Sequence, residues 1–132
     1  MKTVLLLIVG GVFILFTSAS NLPAQDLEKS NPEMNTIVVD TTLVRAMVVT
    51  IEPGQKSDTH SHPANFFYAL TDGKLVVHYT DGKDETYDLK AGDAGFGEPE
   101  RPHVTENVGG KPVKFLLVEL KEHPYEAPMM KE

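Results

Sequence analysis

The sequence predicts an all-β domain, either a sandwich or a small barrel of antiparallel strands. Between Thr36 and Leu120 the chain alternates short runs rich in β-branched and aromatic residues with turn signals about every ten residues, a pattern typical of such folds. No segment of that range shows an apolar period of 3.6 residues, which argues against amphipathic helices. The chain has no cysteines, so disulfides cannot stabilise it, and closure of the sheet would protect its strand edges.

The turn signals divide this region into nine expected strands. Asp81-Gly82 is the strongest hairpin signal, because Asp-Gly suits the positive φ angles of a tight two-residue turn. The expected strands are Thr36–Asp40, Leu43–Ile51, Thr59–His62, Phe66–Leu70, Lys74–Thr80, Glu85–Leu89, Ala94–Gly97, His103–Asn107 and Val113–Leu120.

The amino-terminal residues have the layout of a secretory signal peptide. Lys2 precedes an apolar run from Val4 to Phe16, and small residues at 17–20 suit cleavage. We therefore expect a signal peptide at 1–20, cleaved between 18 and 25. The protein would then be secreted or periplasmic, with no membrane segment after cleavage. The rest is expected to comprise a flexible lead-in at 21–34, the barrel at 35–121 and a tail at 122–132.

The net charge and the small size of the domain limit which partners are expected. The formal net charge is −7 and the sequence has no basic patch, which excludes nucleic acid as a natural partner. A small domain without disulfides has a limited core, so a bound metal or pairing into a homodimer is expected to contribute stability.

Two histidines one residue apart form the central chemical signal. On a strand, His60 and His62 point to the same face, where two imidazoles can bind one metal. Such a pair alone is weak evidence, because many are surface or turn histidines. His103 strengthens the signal, since it lies in another predicted strand whose Thr105 and Asn107 share its face.

At this point the sequence resembles the cupin family in two motifs. The first reads Gly54-x5-His60-x-His62 followed by Gly73, and the second reads Gly92-Asp93 followed by Pro102-His103-x3-Asn107. The resemblance spans roughly Leu43 to Leu120. It implies a double-stranded β-helix, the jelly-roll barrel of this family. It also implies that both motifs meet inside the barrel, where His60, His62 and His103 would bind one divalent transition metal.

The chain departs from the family pattern at both motifs. Phe66 stands where the first motif usually has a glutamate ligand, and a one-residue shift would place Asn65 there. In the second motif the usual proline falls one place late, at Pro99, and Glu100 replaces the usual glycine.

The resemblance also implies a pocket above the metal. It places the face of Phe66 and Tyr68 inside the barrel, and Asn65 and Asn107 are further candidates to line the pocket. Three neutral imidazoles leave the charge of the metal uncompensated, so the expected ligand is a small anionic or chelating molecule.

Iron, manganese, zinc, nickel and copper are not distinguished by these residues. Two functions remain open: an oxidative metalloenzyme acting on a small molecule, resembling three-histidine cupin dioxygenases, or a non-catalytic binding protein. No residue is assigned a catalytic role. The sequence shows no nucleophilic triad and no phosphate-binding loop.

Overall fold

Two five-stranded β-sheets form the framework of the protein, whose computed structural model describes residues 25–129. All nine expected strands are confirmed, with boundaries shifted by a few residues at most. The strands are β1 (Gln25–Asp26), β2 (Asn35–Asp40), β3 (Val44–Ile51), β4 (His60–His62), β5 (Asn65–Ala69), β6 (Gly73–Tyr79), β7 (Asp84–Leu89), β8 (Ala94–Gly97), β9 (Glu100–Asn107) and β10 (Val113–Leu120). Between β1 and β2 lie a short helix α1 (Leu27–Ser30) and a 3₁₀ turn at Pro32–Met34.

The strand order is that of a double-stranded β-helix, as the motifs implied. The first sheet has the order β1-β4-β9-β6-β7 and the second has the order β2-β3-β10-β5-β8. Every pair is antiparallel except β1 with β4. Successive strands therefore switch between the sheets repeatedly, which brings the distant β4 and β9 side by side.

The core lies between the two sheets and follows the period-two alternation of the strands. On β3, Met47, Val49 and Ile51 are buried and the intervening residues are only half-buried. Val113 and Leu117 on β10 pack against them from the neighbouring strand. The space between the sheets therefore holds this apolar core and, in addition, buried polar side chains that include His60, His62 and His103.

Part of the segment expected to be a lead-in, residues 25–34, packs against the barrel. Leu27 and Met34 are 4% and 2% exposed and belong to the core. The backbone N–H of Asp58 donates to Asn31 Oδ1 at 2.6 Å, and β1 pairs with β4 beside the histidines. Two apolar side chains in a polar segment thus suffice to fix it on the barrel. The predicted signal peptide lies outside the described residues.

The carboxyl-terminal tail continues to contact the barrel beyond the last strand. The N–H of Ala64 donates to the carbonyl of His123 at 2.8 Å, and Tyr125 reaches a cavity between the sheets. Among residues 25–129, no helix combines the length and apolarity that crossing a membrane requires.

The outer face of the second sheet is apolar across several strands. Val118 on β10 lies between Ala46 on β3 and Phe66 on β5, and Phe66 lies opposite Phe96 on β8. Phe66 is 40% exposed and Phe96 is 61% exposed. The face therefore presents a continuous apolar strip on the surface of the chain.

Candidate metal centre

Pairing between β4 and β9 brings the three predicted histidines together. His60 lies opposite His103, and a register shift separates that pair from His62, which lies opposite Glu100. All three imidazoles are buried. Their ring centroids are 4.4 Å apart for His60 and His103, 4.8 Å for His60 and His62, and 5.3 Å for His62 and His103.

Each ring is oriented by a hydrogen bond at Nδ1. His60 Nδ1 donates to the carbonyl of Asp58 at 2.8 Å, and His103 Nδ1 donates to the carbonyl of Arg101 at 2.7 Å. His62 Nδ1 lies 2.8 Å from Glu119 Oε1. Carbonyl and carboxylate oxygens only accept, so the proton of each neutral ring resides on Nδ1. Nε2 of each ring in its neutral form is then left with a free lone pair.

The three rings fit one metal ion. One ligand nitrogen of each histidine lies within 4.8 Å of those of the other two. With metal–nitrogen bonds of about 2.0–2.1 Å, two ligands of one ion are at most about 4.2 Å apart, so sub-ångström ring movements would complete the site. Burial lowers the pKa of His60 to about 2, helped by repulsion from His62 and His103. Burial also lowers the pKa of His103. Both rings are thus neutral, as metal ligands must be.

Glu119 supports this site from the other sheet, and the sequence analysis missed it. It is 2% exposed, and its second oxygen lies 3.4 Å from the guanidinium of Arg45. Arg45 in turn pairs with Glu28 of α1 at 2.8 Å. A signal was present in the sequence: Glu119 shares the inward phase of β10 with Leu117, and an acid at such a position needs a buried partner.

A cavity of about 480 Å³ opens on one side of the histidines. Its wall is mostly aromatic and aliphatic and includes His62 and His103. The apolar lining residues are Phe67, Leu75, Val77, Tyr79, Tyr87, Leu89, Phe96, Phe115, Leu117 and Tyr125. Asn65, Glu98, Glu100 and Arg101 contribute polar side chains to the lining. The size suits a small organic molecule.

Two hydrogen-bonded tyrosines line the cavity. Tyr79 donates to Glu100 Oε1 at 2.8 Å, and Tyr87 donates to Glu85 Oε2 at 2.7 Å. Burial, followed by the hydrogen bond to Glu100, raises the pKa of Tyr79. Burial and Glu85 raise the pKa of Tyr87 to about 12. Both hydroxyls therefore remain protonated donors at neutral pH.

The expected placement of Phe66 and Tyr68 inside the barrel is wrong. Both side chains lie on the outer face of β5, whereas Asn65 is buried and Phe67 lines the cavity. β5 starts at Asn65, so its alternation is shifted by one residue from the family spacing and every side chain changes face. Gly97 lies opposite Asn65, where an added Cβ would approach the amide to 3.2 Å.

Asn107 is buried but lies outside the lining of the cavity, which corrects its assignment as a pocket residue. Its Nδ2 donates to the carbonyls of Ile51 and Lys111, both at 2.8 Å. Its Oδ1 accepts from the N–H of Gly109 at 2.9 Å. The amide therefore uses its hydrogen-bonding groups to join the ends of β3, β9 and β10.

Comparison with known proteins decides the family. The family described as "Cupin domain" matches residues 47–119, more than half of the chain and including all three histidines. The chain belongs to the cupin family. Within this family it is 32% identical over 83 residues to the oxalate decarboxylase OxdC of Bacillus subtilis. That match covers 61% of this cupin and 22% of the relative, so the chain spans about a fifth of the relative's length.

Solved structures support the same fold. A cupin domain from Bordetella pertussis matches with a TM-score of 0.61 and 22% identity, over 66% of this chain and 91% of that one. A protein with a double-stranded β-helix domain from Klebsiella pneumoniae matches with a TM-score of 0.55 and 27% identity, over 66% and 75%. The fold prediction is thus confirmed.

Proposed function

We propose that this cupin binds one divalent transition metal through Nε2 of His60, His62 and His103. The observation that carries the proposal is the use of Nδ1. All three Nδ1 atoms are engaged by protein oxygens, and one ligand nitrogen of each buried ring lies within 4.8 Å of those of the other two. Buried polar nitrogens are costly without a partner, and an ion provides one partner for all three.

The cavity indicates the kind of molecule that reaches the metal. Its lining combines His62, His103 and other polar residues with a larger set of aromatic and aliphatic side chains. A ligand with an oxygen-bearing, anionic or chelating head and an apolar body would satisfy both parts. The Bacillus subtilis relative is named for oxalate, a two-carbon dianion, which would leave most of this wall uncovered. A larger substrate is therefore our proposal for this chain.

Oxidation of the bound molecule is the reaction class that we propose. A redox-active ion held by three histidines retains open positions, at which it can act as a Lewis acid or exchange electrons. The residues of the chain would orient the substrate: the apolar wall excludes water, and the hydroxyl groups of Tyr79 and Tyr87 hold the carboxylates of Glu100 and Glu85 in place.

A non-catalytic binding protein is the second candidate. It is favoured by Asn65, whose neutral amide occupies the inward position near which the cupin pattern usually supplies a carboxylate. The two candidates differ in turnover. Metal-loaded protein that consumes oxygen with a thiol, a diketone or a phenol supports the enzyme. Ligand-dependent increases in melting temperature without oxygen consumption support the binding protein.

Elemental analysis of protein purified without a histidine tag tests the metal site itself. We expect about one equivalent of a transition metal after reconstitution, because the three histidines form one site. Less than about a tenth of an equivalent would overturn the proposal. A variant with all three histidines replaced by alanine is the matched control and should bind none.

We further propose that the chain is exported and pairs with a second copy. The mass of the mature protein, recovered from the extracytoplasmic fraction, tests cleavage between 18 and 25. The uncharged strip of Ala46, Val118 and Phe66 supports pairing, because a two-fold axis can place such a strip against itself. Light scattering should report a dimer that Phe66→Glu dissociates, and a wild-type monomer would contradict this.

A further inference from the structure

Two departures from the cupin pattern both concern a glutamate carboxylate. The first motif lacks its glutamate, and the second motif gains one, Glu100, at a position where the pattern has glycine. In the structure β9 begins at Glu100, earlier than the sequence predicts, and Glu100 lies directly opposite His62. The first motif lacks a carboxylate, and β9, the strand of the second motif, places one opposite His62.

We infer that Glu100 is the carboxylate ligand of the metal centre, supplied by β9 rather than by β5. The inference rests on the three-histidine site proposed above. Glu100 is half-buried, lines the cavity beside the histidines, and directs one oxygen at the site.

The distance between Glu100 and His103 fits two ligands of one ion. Glu100 Oε2 lies 3.8 Å from His103 Nε2, which is too long for a hydrogen bond. His103 Nδ1 carries the ring proton, so its Nε2 cannot donate to the carboxylate. Two electron-rich atoms that face each other repel unless a cation lies between them. Metal bonds of about 2.0–2.2 Å from each atom span the observed distance.

The other oxygen of Glu100 is held by Tyr79. The hydroxyl of Tyr79 donates to Oε1 at 2.8 Å, which leaves Oε2 free. The ring of Tyr79 packs against the ring of His103, with centroids 5.7 Å apart, and the guanidinium of Arg101 covers it at 3.7 Å. Tyr79 is therefore a positioning residue, because it orients Glu100 while it contacts the histidine.

Asn65 is the competing source of a fourth ligand. It lies inside the barrel near the usual glutamate position, but its amide is uncharged and its Nδ2 donates to the carbonyl of Pro63 at 3.0 Å. A charged carboxylate is the stronger ligand for a divalent ion. Glu100 also changes the metal preference: imidazoles alone suit zinc, nickel and copper, whereas a carboxylate favours manganese.

Metal titrations of Glu100→Gln test the inference. Metal-free protein is titrated with Mn²⁺ and Zn²⁺ by calorimetry, and the visible spectrum of Co²⁺-loaded protein reports the ligand set. Loss of a charged ligand should weaken Mn²⁺ binding by at least about tenfold, more than it weakens Zn²⁺ binding, and should change the Co²⁺ spectrum. Glu106→Gln is the control, because Glu106 lies on the same strand and contacts surface partners. It should match the wild type.

The outcomes separate this inference from the proposed function. If the wild type binds metal and Glu100→Gln retains its Mn²⁺ affinity and Co²⁺ spectrum, Glu100 is not a ligand and the three-histidine site stands. If the wild type binds no metal, the proposed function fails and the inference with it. Tyr79→Phe provides a second variant, since it leaves the carboxylate in place but releases Oε1. It should weaken Mn²⁺ binding less than Glu100→Gln does, and an unchanged affinity would contradict the role of Tyr79.

Discussion

The interior histidines and His78 show how the same side chain is put to opposite uses. In the candidate metal centre each ring donates from Nδ1 and keeps a bare Nε2. His78, at the surface of the first sheet, has a carboxylate at each nitrogen: Asp84 at 2.9 Å from Nδ1 and Glu106 at 2.9 Å from Nε2. The hydrogen bonds to Glu106 and then to Asp84 raise the pKa of His78, whereas burial lowers that of His60.

The partners of the two ring nitrogens, more than the spacing of histidines in the sequence, therefore distinguish a metal ligand from an ion-pairing residue. A ring between two acids favours its cationic form, which has no lone pair to give. A buried ring with one acceptor is neutral and has one lone pair available. The following variants test this distinction, in order of decreasing effect.

Replacement of an interior histidine should have the largest effect. His103→Ala removes one of the three proposed histidine ligands and should weaken metal binding by more than about 100-fold, beyond the losses typical of residues that only support a ligand. Calorimetric titration of metal-free protein measures it. His78→Ala is the matched control and should leave metal affinity unchanged; equal losses in both variants would remove the distinction.

Glu119→Gln should have the next largest effect. Glu119 orients His62 and strengthens it as a ligand, and loss of such a partner typically costs about 10–100-fold in metal affinity. Metal titration followed by urea denaturation of the metal-free variant separates a loss of affinity from a loss of folding. Glu122→Gln, an exposed acid of the tail, should behave as the wild type. An unchanged affinity in Glu119→Gln would show that His62 needs no carboxylate.

The two kinds of histidine should respond to pH in opposite directions. In metal-free protein the folded state keeps His60 neutral down to about pH 2, while the unfolded chain binds a proton below about 6.5, so stability should decrease on acidification. One such histidine contributes up to about 1.4 kcal/mol per pH unit. His78 has a raised pKa, so its contribution is full below about 6.5 and is lost as pH rises through its folded value.

Urea denaturation across pH 4 to 9 measures both contributions. His78→Gln should remove the alkaline loss and leave the acidic one, because only the ion-paired ring is changed. If instead His78→Gln abolished the loss of unfolding free energy at acidic pH, the interior histidines would not be the groups that titrate there.

Phe66→Glu should have the smallest effect on the metal. The side chain lies on the outer face of β5, so a carboxylate there cannot reach the histidines and metal affinity should equal that of the wild type. Calorimetric titration checks it. A tighter site in this variant would mean that the alternation of β5 follows the family spacing after all.

The strands and the three histidines were predictable because both depend on local pattern. β-Branched runs between Gly and Asp turns located nine strands, and His60, His62 and His103 followed from strand periodicity and motif order. The facing of Phe66 was not predictable in the same way. It depends on how many residues connect His62 to β5, and one residue more or fewer reverses every side chain on that strand.

Other features were missed because they depend on contacts between distant segments. Leu27 is one apolar residue in a polar stretch. Its burial depends on contact with core residues far away in the sequence, so no local pattern indicates it. Glu119 and Arg45 are 74 residues apart and meet because β10 pairs with β3. Glu100 lies outside the expected strand His103–Asn107, whereas β9 already begins there.

Tyr125 lies beyond the last strand, yet it forms part of the cavity wall. Arg45, which pairs with the acid behind His62, lies before the residues that match the family. The proposed ligand would thus contact a segment in which cupins need not resemble each other. A relative that shares every residue of both motifs could accept a differently shaped molecule through its tail alone. Exchange of tails between relatives would therefore alter the ligand while the metal site stays as it is.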